Sequence, residues 1–284
     1  MKTGMTGDLQ EKTIKELLKY DNIIPVVYDR IDSTNAEIKR RIHSNAGQDE
    51  TLSESKQLLV VANEQTMGRG RLGRSFESPV GTGIYMSLLI RPVDGASNAV
   101  LITSAAAVAV SAGIQKATGI ETKIKWVNDI YKHDKKICGI LAESMMDSQG
   151  NFNVVLGIGI NVTLPEGGFG EELNNIAGAL YDNKDEVCVS REKLIAAVIN
   201  EFVDIYDNIE KFNAAESPNN IKEHNYIKEY RMRSMVIGKN VRFNLDGDWH
   251  EGKAIDIDEC GGLVVDTKDG VTVLRTGEIT LRLK

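Results

Sequence analysis

Apolar and β-branched runs recur through the first two-thirds of the chain, several of them with almost no polar alternation, and they set the fold class. Residues 25–28, 58–62 and 84–90 read as strands, as do 122–127, 136–143 and 153–162. A run that is apolar at nearly every position suits a strand buried on both faces. Helical spacing is expected over 9–20, from near Asn35, over 98–118, and over 191–212, where Leu194, Val198, Phe202, Ile205 and Ile209 share a face. Strands that mostly follow one another, with helices grouped around them, predict an α+β domain with a mixed sheet. The texture changes after Ser217-Pro218-Asn219-Asn220. From Val236 on, short strands alternate with Asp246-Gly247, Gly261-Gly262 and Asp269-Gly270, which are hairpin signals and predict a small β-barrel. The expected division is an N-terminal extension over 1–25, a catalytic domain over 26–232 and a barrel over 236–284.

The formal net charge of the 284-residue chain is -7, which leaves no broad electrostatic footprint for nucleic acid. Residues 1–8 are polar and carry no apolar signal core. The alanine-rich run over 99–117 lacks the large apolar residues of a bilayer span, so no membrane association is expected. Cys138, Cys188 and Cys260 are odd in number and widely spaced; they form neither a disulfide framework nor a metal pattern, which fits a reducing cytoplasm.

Against that acidic background, Gly68-Arg69-Gly70-Arg71-Leu72-Gly73-Arg74 is a local concentration of fixed cations on a permissive backbone. Glycine lets the main chain approach a ligand closely, and arginine presents a planar fork of donors to carboxylate or phosphate. Such a loop can wrap a small anion; it can equally be a solvated segment or a single-strand nucleic-acid contact. Asp32-Ser33-Thr34-Asn35-Ala36-Glu37 contains a capping box, Thr34 with Glu37, that starts a helix, and the same groups could hold a polar ligand head. Gln65 offers donor and acceptor together, matching a neutral urea or amide. Lys125-Trp126-Val127-Asn128-Asp129 ends a strand with an amide beside a carboxylate: an Asn-Asp turn, or a Mg²⁺ position near a phosphate site. Lys136 stands at the start of a strand, either solvated or aimed into a cleft. Gly157-Ile158-Gly159-Ile160-Asn161 is part of a dinucleotide fingerprint without its third glycine or its helix.

Taken in order and spacing, Ser33-Thr34-Asn35, Gln65 with the glycine-arginine loop, Lys125 to Asp129, Lys136-Ile137-Cys138-Gly139-Ile140-Leu141 and Gly157 to Asn161 resemble the biotin protein ligases. The resemblance runs from about Val26 to the C-terminus. It implies a mixed-sheet catalytic domain of the class II aminoacyl-tRNA synthetase type, followed by an SH3-like barrel. It also implies an ATP-dependent ligase that forms biotinyl-AMP and transfers biotin to a lysine of a biotin carboxyl carrier domain. Carried onto this chain, Ser33, Thr34, Asn35 and Gln65 would surround the ureido ring. Gly68, Arg69, Gly70 and Arg71 would close over biotin and the adenylate, with Arg71 nearest the reacting groups. Lys136 would contact the carboxylate and α-phosphate, and Gly139 would line the ring pocket. Phe76, Trp126, Asn128, Asn161, Glu278 and Arg282 would serve the nucleotide, and Asp129 would serve Mg²⁺.

Two positions depart from the family pattern: Val127 stands where proline is common, and Phe76 where a tryptophan is frequent. Only about thirty residues precede the Ser-Thr-Asn motif, too few for a helix-turn-helix, so a ligase-only type without DNA binding is expected. Homodimers are possible. The rival enzyme reading is a lipoate or octanoate ligase of the same fold, which the polar pocket residues disfavour. The rival of another class is a nucleic-acid-binding module using the basic loop.

Overall fold

The structure, a computed structural model, describes residues 9–44, 50–53, 55–92, 99–214, 225–245, 247–275 and 279–281. Its larger unit is a seven-stranded sheet of order β1-β2-β3-β7-β6-β5-β4, formed by β1 (Ile23–Ile31), β2 (Gln57–Gln65), β3 (Gly83–Ile90), β4 (Lys123–Lys125), β5 (Asp129–Lys132), β6 (Lys135–Met146) and β7 (Phe152–Asn161). β1 runs parallel to β2 and every other pairing is antiparallel, which makes the sheet mixed. Helices α3 (Ala99–Thr118) and α4 (Arg191–Ala214) pack against each other, with α1 (Glu11–Leu17) on α4 and α5 (Asn225–Arg233) on α3. α2 (Thr34–Ser44) packs against β2, β3 and β7.

The side-chain alternation of β2 explains its unbroken apolar sequence. Leu59 and Val61 enter the main core, while Leu58 and Val60 join Leu89, Val155, Ile38 and Ile42 under α2. Both faces are dry, so both sets of positions are apolar. The α2 face does not stay apolar along its length. Across adjacent strands, Leu89 and Val155 stand in register; the next row is Val60, Ser87 and Gly157, and the next Ala62, Tyr85 and Gly159. Gly159 pairs in turn with Gly139 of β6. Where α2 begins, β7 beneath it therefore changes from the aliphatic Val155 to the bare backbone of Gly157 and Gly159, with the Ser87 hydroxyl beside it on β3. That change leaves an open floor at the N-terminal end of the helix.

The strand expected over 122–127 is shorter than its apolar pattern. β4 stops at Lys125, a turn occupies 126–128, and Asp129 opens β5, paired with Lys125 and Gly139. The turn is held from outside: Tyr230 Oη donates to the Val127 carbonyl at 3.1 Å and Trp126 Nε1 to the Gly261 carbonyl at 2.9 Å. The Trp126–Val127 peptide is cis. The expected capping box is absent as such. Glu37 N–H bonds to the Ser33 carbonyl, but its carboxylate is taken by Tyr28, Arg40 and Arg41, and the Thr34 hydroxyl turns to Gln65.

The C-terminal residues form a separate five-stranded antiparallel sheet of order β11-β10-β9-β8-β12, from β8 (Asn240–Leu245), β9 (Asp248–Ile257), β10 (Leu263–Thr267), β11 (Gly270–Leu274) and β12 (Ile279–Leu281). Gly247, Gly261 and Gly270 turn its hairpins at positive φ, which only glycine adopts without strain. Among the described residues no helix is long and apolar enough to cross a membrane.

Candidate active site

A cavity of about 290 Å³ lies over the glycine floor. Its lining includes Ser33, Thr34, Asn35, Gln65, Arg69, Gly70, Arg71, Phe76, Trp126, Asn128, Asp129, Lys136 and Gly139, which the sequence had singled out. Gly157, Gly159, Met86, Lys125, Arg74 and Ile279 line it as well.

One end of the cavity is a fixed polar wall. The Thr34 N–H donates to Gln65 Oε1 at 2.9 Å, the Thr34 hydroxyl lies 3.1 Å from the same oxygen, and Gln65 Nε2 donates to Ser78 Oγ at 2.9 Å. The Ser87 hydroxyl lies 2.7 Å from Thr34 Oγ1 and 2.5 Å from Asn35 Oδ1. Asn35 Nδ2 donates to Glu143 Oε2 at 2.8 Å, and Glu143 pairs with Lys39 at 2.7 Å. Burial pushes the Glu143 carboxyl up; hydrogen bonds from Lys39 and Asn35, with the fields of Lys39 and Arg69, outweigh it and hold the group below the ordinary carboxylate range. Ser33, Thr34, Asn35 and Ser87 are all buried. The glycines under this wall make room for it: a Cβ at Gly157 would meet Asn35 Oδ1 at 2.4 Å, and one at Gly159 the Phe76 ring at 2.6 Å.

The other end carries the charge. Lys136 Nζ sits 2.7 Å from Asp129 Oδ1, an ion pair between strands that the β5–β6 hairpin brings side by side. Arg71 Nη1 donates to Asn128 Oδ1 at 3.1 Å, and Asn128 is in turn anchored by its Nδ2 to the Ile140 carbonyl at 2.8 Å. The glycine-arginine loop is a closed excursion. Gly70 N–H bonds to the Arg74 carbonyl and Phe76 N–H to the Gly68 carbonyl, with a 3₁₀ turn at Arg71–Gly73 and Leu72 at φ 54°. Gly68 is required at the neck, where a Cβ would lie 2.3 Å from the Phe76 carbonyl oxygen.

Two expected site residues, Gly68 and Asn161, stand outside the cavity lining. Gly68 lines a second cleft behind the loop rather than the cavity. Asn161 lies outside the cavity and holds the following segment, Nδ2 to the Gly178 carbonyl at 2.9 Å. Phe76 lies on the glycine floor: a Cβ built at Gly139 would meet both its ring and Lys136 Nζ at 3.3 Å. Glu278 and Arg282 fall outside the described residues. Ser87 and Glu143 were not anticipated, although a lone serine inside the apolar run over 84–90 and a glutamate within β6 were visible signals.

No group of three or more His, Cys, Asp or Glu side chains that could hold a metal occurs among the described residues. The lone carboxylate Asp129 fits a Mg²⁺ ion delivered with nucleotide phosphates, since Mg²⁺ binds through one or two carboxylates plus phosphate oxygens and water.

Residues 27–161 match the model of the Biotin/lipoate A/B protein ligase family, and 236–282 the Biotin protein ligase C terminal domain. The bifunctional ligase/repressor BirA of Bacillus spizizenii is 33% identical over 277 residues, spanning 97% of this chain and 80% of that protein. The chain belongs to the biotin protein ligase family. A biotin–[acetyl-CoA-carboxylase] ligase of Mycobacterium tuberculosis is 30% identical over 252 residues, 87% of this chain and 85% of its own. The biotin protein ligase of Aquifex aeolicus, solved in complex with biotin and ATP, superposes with a TM-score of 0.71 at 26% identity, covering 93% of this chain and all (100%) of that one. The α+β mixed-sheet architecture is thus that of biotin protein ligases.

Proposed function

We propose that the cavity binds biotin with its ureido ring against the Thr34–Gln65–Asn35 wall and its carboxylate toward Arg71 and Lys136, where ATP meets it. The observation that carries this reading is the polarity of the cavity: neutral amides and hydroxyls, already hydrogen-bonded to one another, at one end, and cations at the other. A cyclic urea needs donors and acceptors without net charge, and a carboxylate approaching a triphosphate needs the reverse.

The chain is a biotin–protein ligase acting in two steps. A biotin carboxylate oxygen attacks the α-phosphorus of ATP, the bond to pyrophosphate breaks, and biotinyl-AMP forms. The ε-amine of a carrier lysine then attacks the acyl carbon; the acyl–phosphate bond breaks, AMP leaves, and the amine proton passes to solvent. In the first step two anions converge, so charge stabilisation and positioning supply most of the acceleration. Lys136 would bridge the carboxylate and α-phosphate, with Asp129 holding its amine in place until substrate arrives. Arg71, steadied by Asn128, would sit over the developing pentacoordinate phosphorus. Mg²⁺ would neutralise phosphate charge beside Asp129. Arg69 and Gly70 would cover the adenylate and keep water from the anhydride.

The carrier substrate is taken to be the biotin carboxyl carrier domain of a biotin-dependent carboxylase. We further assign 26–232 to the catalytic unit and 236–284 to an SH3-like barrel, from which Glu278 and Arg282 would complete the nucleotide side. Biotin-dependent exchange of labelled pyrophosphate into ATP tests the reading. Exchange with biotin but not lipoate or octanoate supports it, and exchange with lipoate instead would overturn the ring assignment.

A further inference from the structure

The polar wall holds a chain of groups whose hydrogen-bonding direction is not fixed by the groups themselves. A carboxamide offers an oxygen on one side and an NH₂ on the other, and half a turn exchanges them. A hydroxyl donates or accepts as its neighbours require. Asn35, Ser87 and Thr34 are linked in this way. A direction is imposed only by partners that can act in a single sense. At the Gln65 end that partner is the Thr34 backbone N–H, a donor only, which holds Gln65 Oε1 toward it. At the Asn35 end it is Glu143, whose ionised carboxylate can only accept.

Glu143 receives Asn35 Nδ2 at 2.8 Å. Asn35 therefore turns Oδ1 to the Ser87 hydroxyl, which lies 2.5 Å away. Lys39 lies one helical turn beyond Asn35 on α2, where i and i+4 share a face, and its amine grips the other carboxylate oxygen at 2.7 Å. The Glu143 and Lys39 side chains are only 24% and 26% exposed, so the clamp is largely shielded from solvent.

We propose that Glu143, clamped by Lys39, is a positioning residue that sets the orientation of the Asn35 amide and, through Ser87, the donor–acceptor pattern the wall presents to a cyclic urea. Glu143 does not line the cavity; it acts through Asn35. The inference rests on the placement of the ureido ring given above. Glu143→Gln keeps the size of the side chain but adds an NH₂ that can donate to Asn35 Oδ1. The amide can then turn, and the Ser87 proton can turn with it.

The test uses the full-length protein in pyrophosphate exchange, with biotin and with its cyclic guanidine analogue, 2-iminobiotin, which offers nitrogen where biotin offers the ureido oxygen. Glu143→Gln is expected to raise the KM for biotin about tenfold, the scale of one misdirected buried hydrogen bond, and to narrow the preference for biotin over iminobiotin. kcat and the KM for ATP should stay within about twofold, as expected for a group remote from the reacting atoms. Lys39→Met, which leaves the carboxylate in place, should give a smaller shift in the same direction. An unchanged biotin KM and analogue ratio in Glu143→Gln would overturn the proposal, as would a parallel rise in both KM values together with a lowered Tm. Failure of the wild-type protein to exchange with biotin would instead overturn the ring placement on which the inference rests.

Discussion

The two ends of the cavity are built by opposite means. At the ring end Thr34, Asn35 and Ser87 are buried and the wall is bonded across elements: α2 to β2 through Thr34 and Gln65, α2 to β3 through Asn35 and Ser87, α2 to β6 through Asn35 and Glu143. At the charged end the groups come from one hairpin and one surface loop, and Leu72 at the tip of that loop is 75% exposed. The ring end is set before any ligand arrives, as affinity and selectivity require. The charged end keeps its cations on single side-chain contacts, Lys136 to Asp129 and Arg71 to Asn128, that substrate phosphates would replace. On the proposed assignment, recognition is spread over the sheet, whereas the chemistry is concentrated on a few exchangeable pairs.

The sharpest way to break this division is at the charged end. Lys136→Ala should lower biotin-dependent pyrophosphate exchange by about two to three orders of magnitude, the scale for one preorganised charge contact, with the KM for biotin changed far less. Exchange within tenfold of wild type would remove Lys136 from the first step. At the ring end, Gly157→Ala places a methyl 2.4 Å from Asn35 Oδ1. An overpacking cost of about 1–3 kcal/mol corresponds to roughly 5- to 150-fold in biotin affinity, to be read by calorimetry while ATP binding is retained. Arg71→Gly should leave the ring end intact and release free biotinyl-AMP several-fold faster, measured as increased labelling of bystander lysines; unchanged labelling would count against a covering role for the loop.

Smaller effects probe the scaffold that holds the two ends. Trp126→Phe removes the donor to the Gly261 carbonyl and should cost about 1 kcal/mol of stability in denaturant unfolding. Another test uses pH. Arg40 hydrogen-bonds Asp32 just before α2 and draws its carboxyl down to about 2, below the usual 3.8. A depressed carboxyl stabilises the fold above its unfolded pKa, and that contribution is lost as pH falls from about 4 toward 2. Asp32→Asn should accordingly flatten the acid limb of the Tm–pH curve by a small amount, because the pair is half exposed.

Much of this was legible in the sequence. The apolar runs mark the central strands because burial on both faces leaves no room for polar alternation, and the long helix over 191–214 carries its core stripe in plain 3.6-residue spacing. The glycine-arginine loop and Lys136 stood out by chemistry. What could not be read depends on which residues face one another across strands. Gly157 and Gly159 resemble part of a phosphate-binding loop until β7 is paired with β3 and β6; only then do they form a floor with Gly139. Thr34 and Glu37 have capping-box spacing, yet tertiary partners claim both side chains. Asn128-Asp129 carries a turn signal, but that the turn cuts the strand at Lys125 depends on Tyr230 and Gly261, distant in sequence, holding it from outside.

That turn has a consequence for anyone recombining such enzymes. Trp126 lines the cavity, yet its indole is tethered to the β9–β10 turn of the C-terminal sheet, whose shape Asp258 maintains by accepting from the Gly262 N–H and from Arg275. The small sheet is thus part of the mould in which the large unit's cavity is cast. Exchanging C-terminal modules between relatives would graft cleanly only if the donor carries a turn that offers the indole the same carbonyl.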